Sequence, residues 1–300
     1  MKKKTYLFAL MAMVLTLGSC SDNENGIGGE TSKYITVSTS IGNMTRVATD
    51  EKGGQTFEEG DEISVYAWTG APTVAPETSE RVVNNAINKL TNGTWVSTPQ
   101  MLWKNNREKH YFIGVYPTAA ISDLSAGEYT FDVNKQTESD LLVAVNKDGI
   151  SYNADEQQTV PLTFTHVMAK LVVNLTYKNQ WGGIPTVEKV VVGNAAKEAT
   201  INYLTKVVTP STTAKEDFSL PEITENTKYV SVIIPQEDVK QLTIVIGGKN
   251  FVYDNGTPFK LESGKITTVN LEVGRDEIKL GDVKITNWED GSTFSGEALN

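Results

Sequence analysis

The chain has 300 residues and a mass of 32.8 kDa, which suits two domains of about 130 residues better than one small domain. Hydrophobic residues make up 39% and charged residues 21%, so the chain can build packed cores and is neither a coiled coil nor a disordered acidic chain. A net charge of -10 argues against nucleic-acid binding. A single Cys excludes an intramolecular disulfide, and two His leave little material for a metal site or a general base.

The first nineteen residues have the pattern of a secretion signal. Three Lys follow Met1, and residues 6–17 form an apolar run that is too short to cross a bilayer as a helix. The stretch Leu17-Gly18-Ser19-Cys20 resembles the lipobox of bacterial lipoproteins. It predicts cleavage between Ser19 and Cys20 and acylation of Cys20, which would anchor the precursor in the outer membrane. The alternative is an ordinary signal peptide with an incidental Cys.

Residues 20–33 are predicted to form a flexible acidic linker, since they are rich in Gly, Asn, Asp and Ser. Residues 1–19 hold three Lys and no acid, so the rest of the chain carries 24 basic and 37 acidic side chains, a net charge of -13. The patch Ser21-Asp22-Asn23-Glu24 resembles the surface-export signal of Bacteroidales lipoproteins. The alternatives are a plain solvated linker and a protein that faces the periplasm.

Alternation of apolar and polar residues predicts β-strands through most of the chain. In chain order the predicted strands are 34–41, 62–68, 110–116, 128–133, 140–145, 160–165, 171–177, 189–192, 229–234, 241–246, 249–253 and 267–273, followed by an apolar set between 278 and 288. Turn dipeptides such as Asn92-Gly93 and Gly247-Gly248 separate them. Single helical turns are expected at 123–125 and 237–239. The pattern therefore predicts an all-β protein.

The length and the strand pattern together predict two β-sandwiches in tandem. Strand-like sequence runs through residues 165–170 without a linker, so one strand is expected to end the first domain and continue into the second. The predicted domains are residues 34–167 and 168–300.

A search for chemistry finds no motif for a nucleophile elbow, a zinc protease, a P-loop or a dinucleotide fold, so no catalytic residue, metal or cofactor is predicted. His110 and His166 lie in or beside predicted strands and are expected to be structural. The acidic residues at 58–62 lack the spacing of a calcium loop and are expected to form a solvated turn. Trp95 and Trp103 flank a short loop and are the candidate pair for glycan contact; burial in the core is the alternative.

Several phrases follow one another along the chain. Residues 57–67 read FEEGDEISVYA, residues 162–171 read LTFTHVMAKL, and Trp288 stands three residues after Ile285. Shorter phrases are Thr45-Arg46, Tyr111-Phe112, Tyr116-Pro117, SDLLVA at 139–144, Ile234-Pro235-Gln236 and Leu261-x-x-Gly264-Lys265. Taken in order, they resemble the fimbrillin family of Bacteroidales, the subunits of type V pili, and they cover nearly all of the chain after Cys20.

This resemblance implies two transthyretin-like β-sandwiches and a pilus subunit that supports cell adhesion in a surface fimbrium. The subunit would be exported as a lipoprotein and would assemble with copies of itself or with other pilus subunits. An Arg-specific protease would cut between Arg46 and Val47 and remove the strand within 34–46, leaving a groove for a strand of the next subunit. The alternative is that Arg46 is only a surface residue on a connector, and residue type alone also leaves Arg81, Arg107 and Arg275 as cut sites.

The resemblance also implies that the donor strand lies in the C-terminal segment 276–300. Its predicted donor residues are Ile278, Leu280, Val283 and Ile285. The alternative is that these residues form ordinary last strands of the second sandwich. Tip subunits of the family lack a free donor, so stalk, tip and anchor roles stay open.

Three functions compete on the sequence. The first is a structural pilus subunit without enzymatic activity, for which a host receptor or glycan is a further candidate partner. The second is a monomeric surface lipoprotein that binds a glycan through Trp95 and Trp103. The third is a hydrolase on a β scaffold, for which the sequence offers no nucleophile and base.

Overall fold

The structure, a computed structural model, describes residues 33–42, 56–153, 155–156 and 158–288. Within these ranges the chain contains no α-helix, and its two helical segments are the short 3-10 turns Thr78–Glu80 and Asn179–Trp181. None of the described helices is long and apolar enough to span a membrane. The predicted all-β fold class is confirmed, and the sheets are arranged as tandem β-sandwiches.

The strands are numbered in chain order over the described residues. They are β1 (Thr36–Ile41), β2 (Glu62–Thr69), β3 (Arg81–Thr91), β4 (Thr94–Thr98), β5 (Lys109–Tyr116), β6 (Gly127–Thr130), β7 (Leu142–Ser151), β8 (Thr159–His166), β9 (Ala169–Tyr177), β10 (Val187–Ala196), β11 (Glu198–Asn202), β12 (Val207–Pro210), β13 (Lys215–Ser219), β14 (Glu222–Thr224), β15 (Lys228–Ile233), β16 (Gln241–Ile246), β17 (Lys249–Asp254), β18 (Lys265–Val273) and β19 (Ile278–Asn287). Every strand that the alternation predicts overlaps one of them.

The alternation does not predict β3, β4 or β11 to β14. In β3 the left-handed residue Asn85, with φ of 55°, breaks the period, and the polar side chains of Arg81 and Asn88 are buried. The strands β11 to β14 have five residues or fewer, too few for a clear period. The helical turns expected at 123–125 and 237–239 are wrong. The Asp123 carboxylate accepts hydrogen bonds from the Ser125 backbone and hydroxyl, which favours a turn over a helix.

The first half of the chain builds a seven-stranded sheet in the order β1-β8-β7-β5-β2-β3-β4. β1 pairs with β8 in parallel, whereas the other neighbours are antiparallel. The two edges of this sheet approach each other, because β1 also contacts β4 and Tyr34 forms a bridge with Leu102. The sheet is therefore curled around its own core, and β1 closes the gap between its edges. That inner core includes Ile35, Val37, Ile41, Ile63, Val65, Phe112, Leu162 and Phe164.

The second half of the chain adds a four-stranded sheet, β13-β10-β16-β17, and a five-stranded sheet, β14-β15-β9-β18-β19. A three-stranded sheet, β12-β11-β6, takes β6 from the first half and its other strands from the second. The outer face of the curled sheet, with Tyr66 and Ile113, shares one continuous apolar core with Leu171, Val190 and Leu242. The two halves are thus joined by packing. The domain boundary at residues 167 and 168 stays a prediction.

Candidate functional site

The leading segment, residues 33–42, fills a groove in the curled sheet and is paired on both sides. On one side β1 runs parallel to β8, in register from Thr36 with Thr159 to Ile41 with Phe164. On the other side the residues before β1 pair with the chain after β4: the Ile35 N–H donates to the Met101 carbonyl at 3.0 Å. The leading segment is thus tied by main-chain pairing to β8 along β1 and to residues 101–103 just before β1.

The side chains of the leading segment alternate between the core and solvent. Ile35, Val37 and Ile41 point into the core, with exposed fractions of 2%, 7% and 7%. Ser38 and Ser40, between them, face solvent. Burying an aliphatic side chain of this size contributes about 1.5–3 kcal/mol, so the three together hold β1 in place and keep water out of the core.

Aromatic rings form the walls around the leading segment. The indole N–H of Trp95 donates to the Thr39 hydroxyl at 3.0 Å, directly across the gap that β1 closes. Phe57 lies at one end of the groove and contacts Trp95 and Phe164 edge to face, with ring centroids 5.3 and 5.1 Å apart. Such edge-to-face pairs give the groove a defined shape.

Trp95 and Trp103 do not form an exposed platform. Each indole is only 8% exposed and belongs to the inner core of the curled sheet. Trp103 packs against His110, Phe112 and Tyr152, at centroid distances between 5.0 and 5.8 Å. The interpretation of this pair as a glycan contact is therefore not supported by the structure, because a sugar needs a free ring face to stack on. The structure instead has the alternative, burial in the core. Both residues share the inner core with the leading segment.

Burial shifts the pKa of two titratable groups near the groove. Desolvation, reinforced by the neighbouring Asp61 carboxylate, raises the pKa of Tyr116 to about 12, so this phenol stays protonated. Desolvation also lowers the pKa of His110, whose Nε2 accepts the Lys104 N–H at 3.1 Å. Its Nδ1 is buried without a hydrogen-bond partner. Burial therefore favours the neutral form of both the Tyr116 phenol and the His110 imidazole.

The predicted donor residues lie on β19, the edge strand of the five-stranded sheet. Each stands opposite a buried residue of β18, and residues in direct register share a face of a sheet. The pairs are Ile278 with Val273, Leu280 with Leu271, Val283 with Val269, and Ile285 with Thr267. All four donor residues therefore lie on the core-facing side of the sheet. Leu280, Val283 and Ile285 nevertheless keep 36–38% of their surface exposed, because the strand is at the edge.

A β-bulge explains why four residues with uneven spacing share one face. Leu280 and Val283 are three positions apart, which would put them on opposite faces of a straight strand. The register shifts at this point, where Asp282 faces Asn270 and Leu280 faces Leu271, so that Gly281 has no partner of its own. The two halves of the apolar pattern, interrupted in sequence at Gly281, are brought to the same side.

The predicted processing residues Ser19, Cys20, Arg46 and Val47 lie outside the described residues. Of the alternative cut sites, Arg81 is only 9% exposed. Its guanidinium donates to the carbonyls of Ile121 and Ser122, both at 2.6 Å. Arg81 is therefore a structural residue. Arg107 and Arg275 are exposed.

The described residues contain no group of three or more His, Cys, Asp or Glu side chains placed to hold a metal ion. The acidic residues at 58–62 instead accept nearby hydrogen bonds. Asp61 accepts the Glu58 N–H at 2.7 Å, and Glu59 accepts the Asn92 N–H at 2.8 Å. These contacts fix a turn, in keeping with the sequence interpretation.

Three solved structures resemble this fold. A candidate cell adhesion protein from Bacteroides ovatus has a TM-score of 0.62 and 17% identity, and the match covers 85% of this chain and 98% of the other. One from Bacteroides uniformis also has a TM-score of 0.62 and 17% identity, covering 86% and 100%. A fimbrial protein from Bacteroides vulgatus has a TM-score of 0.53 and 13% identity, covering 84% and 99%. The fold is thus one that occurs among cell-adhesion and fimbrial proteins of Bacteroides.

A comparison of the sequence with family models identifies the family of the chain. The family model described as fimbrillin-like matches residues 45–288, most of the chain. The chain therefore belongs to the fimbrillin-like family, as the ordered phrases of the sequence predict. No curated protein is similar enough to count as a relative.

Proposed function

We propose that this protein is a structural subunit of a pilus and that it assembles by exchange of β-strands. The observation that carries the proposal is the position of β1. This strand closes a groove whose other walls come from distant parts of the sequence. Membership of the fimbrillin-like family supports the pilus role. A structural subunit has no need of an active site, so the proposed function is non-enzymatic.

Removing the leading segment, residues 33–42, would leave the groove with two kinds of unmet contact. The backbone groups of β8 and of residues 101–103 would lose their partners, and the pockets of Ile35, Val37 and Ile41 would open to water. An extended segment from another subunit supplies both main-chain hydrogen bonds and alternating side chains. Cleavage between Arg46 and Val47, on the connector after β1, would trigger this exchange.

The donor in this proposal is β19. It is already extended, it lies at an edge, and its apolar side chains share one face. Its core-facing residues are β-branched or aliphatic, like those of the leading segment that they would replace. Another copy of this chain or a related pilus subunit is the partner.

Export as a lipoprotein, with acylation at Cys20 and passage to the outer membrane and the surface fimbrium, belongs to the same proposal. Its support is the sequence of residues 1–24. The alternative function, a monomeric glycan-binding lipoprotein, loses its main support because Trp95 and Trp103 are buried.

The test uses the chain from Ser21 onward, treated with an Arg-specific protease and separated on a sizing column. The expected product begins at Val47 and forms a ladder of oligomers. Arg46→Lys is the matched variant, because it keeps the charge but removes the cut; it should stay monomeric. Arg107→Lys should assemble like the original chain. If the cleaved chain stays monomeric with fresh subunits present, assembly by exchange is wrong. If Arg46→Lys still assembles, the cut site is wrong.

A second variant tests the donor. Val283→Asp places a charge on the core-facing side of β19, where it should stop oligomer growth after cleavage, because a buried unpaired carboxylate is costly. Lys279→Gln, on the other face of the same strand, should leave growth unchanged. Equal growth of the two variants would mean that β19 is not the donor. A change in Trp fluorescence on adding polysaccharide to the uncleaved chain would instead favour the glycan-binding function.

A further inference from the structure

The strand β19 is weakly held by its own side chains. It has a partner strand, β18, on one side only. Residues 279–285 are all exposed. Of its four core-facing residues, Leu280, Val283 and Ile285 keep more than a third of their surface in water, and Ile278 is partly buried. An edge strand with so little buried side-chain surface is prone to local opening.

Trp288, directly after β19, is different. Among residues 278–288 it alone is buried, with 8% of its surface exposed. Its indole lies parallel to the imidazole of His166, with ring centroids 4.1 Å apart and an interplanar angle of 7°. The backbone N–H of Trp288 donates to the Gly264 carbonyl at 2.9 Å. The end of β19 is therefore fastened by a ring and a main-chain bond together.

The partners of Trp288 are themselves held in place. The Nδ1 of His166 lies 2.8 Å from the Asp140 carboxylate, which fixes the orientation of the imidazole. The Lys170 ammonium lies 5.0 Å from the indole centroid, within the range of a cation–π contact. Gly264 has φ of 66°, and a Cβ there would lie 3.1 Å from the His166 carbonyl oxygen, so a larger residue would disturb this approach.

These contacts bring three distant stretches of the chain to one point. His166 ends β8 and Lys170 lies at the start of β9, at the passage from the first half of the chain to the second. Gly264 precedes β18, and its N–H donates to the Met168 carbonyl at 2.9 Å. Trp288 ends the described C-terminal segment. We call Trp288, His166, Lys170 and Gly264 the latch.

We propose that the latch keeps β19 on its own subunit and sets how readily this strand is released. The release of β19 as a donor rests on the proposed function, but its retention in the free subunit does not. Trp288 directly follows β19, so opening of the whole strand must break the contacts of Trp288. Because β19 itself buries little side-chain surface, these contacts should account for much of its retention. Loss of the indole should therefore loosen β19 and leave the leading segment undisturbed.

Hydrogen exchange followed by mass spectrometry on the uncleaved chain tests this directly. In Trp288→Ala, amides of β19 should exchange at least about 10-fold faster, while amides of β1 and β8 stay within about 2-fold of the original. Val283→Ala, a truncation on β19 itself, should change β19 exchange by less than about 3-fold. Unchanged exchange of β19 in Trp288→Ala, or equal acceleration in β1, would overturn the proposal. If Trp288→Ala does not fold, Trp288→Phe takes its place in the test. Faster amide exchange in β19 alone is the expected result, and exchange like that of the original chain would overturn the proposal.

An assembly measurement separates the latch from the proposed function. The donor carries Arg46→Lys, so its groove stays closed, with or without Trp288→Ala. The acceptor is the cleaved chain with Val283→Asp, so its own donor is blocked. A latch that limits release predicts that Trp288→Ala speeds formation of the paired species on a sizing column by about the factor seen in exchange. Faster β19 exchange with no paired species from any donor supports the latch and counts against strand exchange. If Trp288→Ala loosens β19 but the paired species forms no faster than with the unsubstituted donor, the latch does not control release of the strand.

Discussion

Replacing Ile35 by Ala removes the most deeply buried apolar side chain of the leading segment and tests whether that segment is part of the core. Ile35 is 2% exposed and packs in the inner core of the curled sheet. Truncating a buried Ile to Ala costs about 2–5 kcal/mol, and a segment that closes an edge can relax, so the lower half of that range applies. The expected loss in the free energy of unfolding is about 2.5 kcal/mol. Ser38→Ala, at an exposed position of β1, should change it by less than about 0.5 kcal/mol.

Urea unfolding followed by Trp fluorescence measures this loss. Trp95 donates to Thr39 across the groove, so its emission reports on the departure of β1. With an m-value of about 2.5 kcal/mol/M, a loss of about 2.5 kcal/mol lowers the midpoint of the first transition by about 1 M urea. A midpoint for Ile35→Ala no lower than that for Ser38→Ala would mean that the leading segment contributes nothing to the stability of the sheet it closes.

The same arithmetic indicates why loss of the whole leading segment, with Ile35, Val37 and Ile41, would call for a replacement. Three buried aliphatic side chains contribute on the order of 5–9 kcal/mol, which approaches the total stability of an ordinary domain. In the proposed assembly, a subunit that loses this segment would be only marginally folded by itself. A new strand in the groove restores the lost contacts, and it leaves slowly because its bonds must break together.

Three further predictions concern buried groups outside β1. Burial lowers the pKa of His110 below its ordinary 6.5, so the unfolded chain binds a proton that the native chain does not; stability should fall as pH drops below 6.5, and thermal unfolding of His110→Gln should show a smaller fall. In Gly114→Ala the new Cβ would lie 2.6 Å from the Phe164 ring, which should cost about 1–3 kcal/mol in urea unfolding, partly recovered with Phe164→Leu. Arg81→Lys replaces the two guanidinium nitrogens that donate to Ile121 and Ser122 by a single ammonium nitrogen, so the free energy of unfolding should fall by about 1.5–3 kcal/mol and the melting temperature by several degrees; an unchanged melting temperature would mean that these bonds contribute nothing.

Much of the site was visible in the sequence, but not always in its correct role. Alternation at 34–41 predicts a strand with one apolar face, and the structure has that strand with Ile35 and Val37 buried. Trp95 and Trp103 attract attention as rare aromatics beside a loop, yet the same property suits a core wall. Composition cannot distinguish an exposed ring from a buried one, because burial depends on which strands come to lie over it.

The latch was harder to foresee. His166, Gly264 and Trp288 each stand in a phrase of the sequence that resembles the fimbrillin family, but nothing local relates the three. The bulge at Gly281 is similar: the interrupted apolar pattern is visible, while its repair depends on pairing with β18. Sequence reasoning could find these residues and could not bring them together.

The fold class, most strand positions and the family can be inferred from the amino-acid sequence alone, because alternation, turn residues and short phrases are local features of the chain. The order of the strands in each sheet becomes known only from the three-dimensional fold. The pairing of β1 with β8 joins Thr36 to Thr159, 123 positions away. Such a pairing is selected by the fit of whole faces in a common core, and no short stretch of sequence contains that information.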